Sequence, residues 1–137
     1  TAFREVAAGT TNDSFAETTL KVVCNNADGY TIKATATNLV GATDNTVNIP
    51  VASTYSTAAS GYKATMVKTS GATGTSLLNS GAITSTSETL VAQNTGVSAE
   101  TGDVWDVTYG IGVASSQKAQ VYHGKVTYTL YKGVAAS

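Results

Sequence analysis

Between residues 103 and 132, hydrophobic and polar side chains alternate along two long runs. In the first, Trp105, Val107, Tyr109, Ile111 and Val113 share one face. In the second, Tyr122, Gly124, Val126, Tyr128 and Leu130 share one face, and His123, Lys125, Thr127 and Thr129 share the other. Successive side chains of an extended chain point to opposite sides, so alternation of this length predicts half-buried β-strands. The polar segment Ala114-Ser115-Ser116-Gln117-Lys118 reads as a turn between them. The pair reads as the spine of an antiparallel β domain.

The rest of the chain repeats the pattern in shorter units. Residues 1–8 (TAFREVAA) read as a short strand with imperfect alternation, and residues 9–14 (GTTNDS) as a polar linker without a core-forming side chain. A strand over residues 15–24 places Leu20, Val22 and Cys24 on one face. Another over residues 30–37 places Tyr30, Ile32, Ala34 and Ala36 on one face. The Asn25-Asn26-Ala27-Asp28-Gly29 link predicts a hairpin joining these two. Further short strands are expected near residues 46–52, with Pro50 pushing that one to a sheet edge, and over residues 62–68, near Ile83 and over residues 88–93. Leu77 and Leu78 are expected to plug the interior. No stretch carries helical periodicity, and neither half repeats the other. The expectation is an all-β, antiparallel two-sheet sandwich, Ig-like or Greek-key, of roughly eight or nine strands. It comprises an extended arm and linker at residues 1–14 and a body at residues 15–137.

Composition narrows the setting. The 137 residues are 42% hydrophobic but only 12% charged, with a net charge of −1. Thr, Ser, Ala, Gly and Val fill the gap, so copies repel one another little, as suits a protein that packs against itself. No basic surface is present to attract nucleic acid or anionic lipid. No apolar run approaches membrane-span length. The chain opens on Thr1 rather than Met, which fits a terminus processed after export, or a trimmed one. Cys24 is the only cysteine, so no disulfide forms within the chain. It reads as a small core hydrophobe, the alternative being an intermolecular disulfide or a reactive thiol.

Candidate chemistry is sparse. One histidine, His123, falls on the outward face of its strand, and a zinc site needs three or four ligands. No nucleophile elbow presents a serine, and no glycine pattern matches a nucleotide loop. Asp103 and Asp106 project to opposite faces of one strand, which is wrong for shared acid-base work. An amide crosslink between lysine and asparagine would need a buried lysine beside an asparagine and a carboxyl. Lys33, Lys63 and Lys125 all alternate onto polar faces, so none is expected. Trp105 shares its face with Val107, Tyr109 and Ile111, which favours packing over sugar stacking. Asn12-Asp13-Ser14 is an N-glycan acceptor triplet, read as lying in the polar loop. No catalytic residue, cofactor or metal is expected.

Two stretches carry a resemblance. Asn26-Ala27-Asp28-Gly29-Tyr30-Thr31-Ile32 resembles a hairpin of secreted β-sandwich proteins on microbial surfaces. Tyr122-His123-Gly124-Lys125-Val126-Thr127-Tyr128-Thr129-Leu130 is similar to a closing strand of that group and of fimbrial (pilin-like) subunits. The resemblance implies a secreted, cell-surface sandwich, completed by a neighbour's strand. The functional expectation is a structural subunit of a filament or surface coat, a homopolymer formed by donation of residues 1–8 into a groove beside the last strand. Ala2, Phe3 and Val6 would make the subunit contact, with Phe3 and Val6 as anchors; the alternative for residues 1–8 is an ordinary first strand or a frayed terminus. The alternatives are a monomeric adhesin or carbohydrate-binding module that takes surface glycans, and a virion-associated sandwich.

Overall fold

The computed structural model describes residues 5–71 and 80–133, and its described residues contain strands and no helix. The described residues form ten strands in three antiparallel sheets. The first sheet has the order β1 (Thr10–Val22), β8 (Asp103–Val113), β5 (Gly61–Ser70), β6 (Ser80–Ile83). The second has the order β10 (Val126–Lys132), β2 (Tyr30–Ala36), β7 (Thr89–Asn94). A small third sheet, β4 (Asn48–Ile49), β3 (Leu39–Gly41), β9 (Tyr122–His123), accompanies them.

The two larger sheets face each other across one core. Trp105, Val107, Tyr109 and Ile111 of β8, Tyr62, Ala64 and Met66 of β5, and Tyr30, Ile32 and Ala34 of β2 are buried together. Tyrosine hydroxyls bridge the sheets. Tyr30 of β2 donates to Asp103 of β8 at 2.6 Å, and Tyr109 of β8 meets Tyr128 of β10 at 2.9 Å. The alternation of β8 and β5 therefore has the cause read from the sequence: one face buries aromatic and branched side chains.

Connectivity departs from the expected hairpins. The link at residues 25–29 does not join paired strands, because β1 pairs with β8 and β2 pairs with β7 and β10. Gly29, at φ +84°, closes the turn by donating its N–H to the Asn26 carbonyl, and the chain crosses there from one sheet to the other. Turn chemistry fixes a change of direction, but not which strand is met afterwards. The supposed spine is likewise divided. β8 lies inside the first sheet, flanked by β1 and β5, whereas the second run breaks at Gly124 and Lys125 into β9 and β10, in two other sheets.

The start of the chain also differs. Residues 5–7 have no regular structure and a turn follows at residues 8–9, so the described half of the arm is not a strand. The expected linker instead belongs to β1, with Thr10, Thr11 and Asn12 paired to Val113, Gly112 and Ile111. Its side chains are exposed, as their polarity predicted, but backbone pairing needs no apolar side chain. A register shift between Asn12 and Ala16 marks the point where β1 turns its apolar residues inward, so the expected boundary after residue 14 falls inside a strand. Pro50 directly follows β4, an edge strand, as expected. Leu77 and Leu78 lie outside the described residues.

Candidate functional site

The sheets close against each other on one flank and stay apart on the other. β6 and β7 approach closely at the first. At the second, β1 ends one sheet and β10 ends the other, and among the described residues no strand pairs with either outer edge. A cleft of roughly 280 Å³ lies between them. Thr18 and Leu20 of β1 form one wall, Val126 and Tyr128 of β10 the other, and Tyr62 and Tyr109 line it from the core. Beyond the cleft, Leu130 of β10 is 50% exposed although it pairs with buried Ile32. An apolar side chain on the inward face of an edge strand, left half in water, marks a part of the interior that the described residues leave open.

The direction of the two edges follows from the registers. β1 runs from Val113 towards Asp103 along β8, and β2 starts near Asp103, where Tyr30 meets it. β10 is antiparallel to β2, ending with Lys132 opposite Tyr30. β1 and β10 therefore run the same way, and one inserted strand can be antiparallel to both. Burial holds the Tyr62 hydroxyl, bonded to the Thr37 carbonyl, neutral to about pH 12. Burial and the Tyr109 hydroxyl push Tyr128 higher still, so the cleft's phenols are neutral at physiological pH.

A second cleft, roughly 760 Å³, lies beneath the arm. Residues 5–8 line one side, Phe15, Ile111 and Val113 another, and residues 117–122 the rim. Val6, half-buried, packs against its own core here. The arm's attachment is slight: the Thr10 hydroxyl donates to the Ala7 carbonyl at 2.5 Å, and Gly9, at φ +76°, donates its N–H to Val113 at 2.8 Å. Ala2 and Phe3 lie outside the described residues. Asn12 is exposed on β1, its side-chain oxygen accepting the Ser14 N–H.

Other singled-out residues are placed as follows. Trp105 is fully buried, so it offers no stacking platform. His123 is exposed on β9, and among the described residues no group of three His, Cys, Asp or Glu could hold a metal ion. Asp103 is buried and Asp106 exposed, on opposite faces as read. Cys24 is half-buried, and its N–H donates to the Ser98 hydroxyl at 2.8 Å.

A buried polar cluster went unread in the sequence. Asp103 accepts the Tyr30 hydroxyl at 2.6 Å and the Ala99 N–H at 3.0 Å, and the Trp105 indole N–H donates to the same Tyr30 oxygen at 3.0 Å. Burial, then the Asp103 carboxylate, holds the Tyr30 phenol well above its ordinary range. Lys68, directly opposite Trp105 in register, sits on the inward face of β5 with Tyr62, Ala64 and Met66. Its Nζ donates to the side-chain oxygen of fully buried Asn94 at 2.9 Å and lies 5.9 Å from the Trp105 ring centre. The parity of β5 carries this signal, because Lys68 falls on the even-numbered face. Comparison of the chain with protein-family models, with curated proteins and with solved structures returns no match.

Proposed function

We propose that this chain is a structural subunit of an extracellular filament or surface coat, assembled when the flank between β1 and β10 receives an extended segment of a second copy. The observation that carries this reading is the open flank itself: two outer edges running in one direction, a cleft of mixed polar and apolar lining between them, and Leu130 half in water. Main-chain hydrogen bonds to a strand inserted there contribute about 0.5–1.5 kcal/mol each. Low net charge leaves little repulsion between copies.

Residues 1–8 are the proposed donor. Their described half carries Val6 and joins β1 through Gly9, whose positive φ turns the chain and whose N–H bonds to the Val113 carbonyl. Donation lifts Val6 from its own core, and burial in the neighbour's cleft restores the contact, so exchange costs little net apolar area. The carbohydrate-module alternative has less to stand on. Trp105 is buried, and the exposed Tyr131 already holds Lys33 over its ring at 5.1 Å and reaches Glu88 through its hydroxyl.

Two variants test the reading. Deleting residues 1–8 leaves an acceptor without a donor, and Leu130→Glu leaves a donor with a blocked acceptor. Light scattering should show each alone as monomer and the mixture as one-to-one dimer. Polymers of unchanged length from either folded variant reject strand donation.

A further inference from the structure

We propose that Lys68 and Asn94 become joined by an amide bond between Nζ and Cγ, a covalent tie from β5 in one sheet to β7 in the other. The two side chains already touch, with Nζ 2.9 Å from Oδ1. The amide carbon lies at most one C=O bond, about 1.2 Å, farther away. That is close to the separation at which reacting atoms held by a protein need only a small rotation to meet. Asn94 is held for this approach: its Nδ2 donates to the Gly96 carbonyl at 2.8 Å, which leaves Oδ1 facing the lysine.

The surroundings supply what the step requires. Asn94, Tyr30, Trp105 and Asp103 are all fully buried, and half-buried Lys68 brings its amine to their edge, where access of competing water is reduced. Asp103 stands two residues from Trp105 on the inward face of β8, and Trp105 is the register partner of Lys68. Tyr30, which Asp103 holds, is the register partner of Asn94. One buried carboxylate is thus built into the same cluster as the amine and the amide. Asp103, bonded to the Tyr30 hydroxyl and the Ala99 N–H, is the nearby carboxylate assigned as proton relay in the proposed step.

The step balances without a co-reactant. Lys68 gives a proton to the Asp103 carboxylate, and the freed amine lone pair forms the bond to Cγ of Asn94. The tetrahedral centre collapses as the Cγ–Nδ2 bond breaks. The departing nitrogen carries away the proton relayed by Asp103 and one from the attacking nitrogen. Ammonium enters as the lysine and ammonium leaves as the product, so charge is conserved and nothing is oxidised or reduced.

Intact-mass spectrometry of the purified, folded chain tests the proposal. The mass should fall below the sequence mass by one ammonia, about 17 Da, and digestion should yield a branched peptide joining Lys68 to Asn94. Lys68→Arg and Asn94→Asp should each restore the uncrosslinked state. Asp103→Asn should slow ammonia loss after refolding by on the order of a hundredfold or more, in chains whose Trp105 fluorescence shows native burial. Folded wild-type chain at full sequence mass overturns the proposal. So does an ammonia loss that persists in Lys68→Arg, because that would be asparagine cyclising on its own backbone.

Discussion

Replacing Tyr30 with Phe removes one oxygen from a fully enclosed polar contact. That oxygen donates to Asp103 at 2.6 Å and accepts from the Trp105 indole at 3.0 Å, and Tyr30, Trp105 and Asp103 are each 0% exposed. The bond to the carboxylate is charge-assisted, a class worth about 1.5–3 kcal/mol, and the indole bond adds about 0.5–1.5 kcal/mol. The ring stays, so no cavity larger than an oxygen opens. The expected loss is therefore about 2–4 kcal/mol, a large share of the stability of a domain of this size. Urea unfolding followed by the single tryptophan measures it directly, since Trp105 loses its buried environment on unfolding. Tyr131→Phe is the matched control. Its hydroxyl also meets a carboxylate, Glu88 at 3.1 Å, but at an exposed site, so the expected change is within about 0.5 kcal/mol. The two variants are compared with parent chain of the same crosslink state, established by intact mass. A Tyr30→Phe loss below about 1 kcal/mol would show that the cluster holds the sheets together by shape rather than by hydrogen bonding.

Two further outcomes follow from the same packing. The phenols of Tyr62, pushed up to about 12 by burial, and Tyr128, raised further, stay neutral in the fold where the unfolded chain ionises near pH 10. A raised folded-state value means that this stabilisation is full below pH 10 and is lost as pH rises through 12. Each group contributes at most about 1.4 kcal/mol per pH unit, so the urea midpoint should hold level to pH 10 and then fall steeply. Gly29→Ala should destabilise the fold by at least about 1–2 kcal/mol, because φ is +84° and an added Cβ would meet the Asn94 backbone. A thermal midpoint unchanged in that variant would mean that the sheet-to-sheet crossing tolerates another path.

The sequence is most legible where one physical cause acts alone. β8 alternates because one of its faces meets the core along nearly its whole length, and Trp105 and His123 fall inside and outside as parity requires. The pairing of strands is less legible, because a turn such as the one at residues 25–29 reports local backbone geometry and is silent about which edge the chain joins next. The polar beginning of β1 escaped notice for a related reason: its ladder with β8 is made by main-chain atoms, which every residue but proline supplies. The flank between β1 and β10 depends on strand order and so has no signature in local pattern. Lys68 is the instructive case. The lysines weighed in the sequence are Lys33, Lys63 and Lys125, whereas parity puts Lys68 inward with Tyr62, Ala64 and Met66 although lysine is usually exposed. The asparagine that settles the matter stands on a strand of the opposite sheet.

The shared direction of β1 and β10 bears on how the molecule would carry a load. Thr10 lies beside Val113 at one end of the sandwich, and Lys132 lies beside Tyr30 at the other. Tension applied between those two points runs along the strand axes, so β1 must slide past β8 with its ladder resisting together instead of peeling one rung at a time. Rupture under force is governed by the height of the unfolding barrier, and sliding geometry raises it. A domain strung end to end in this orientation would behave as a stiff link rather than a soft one.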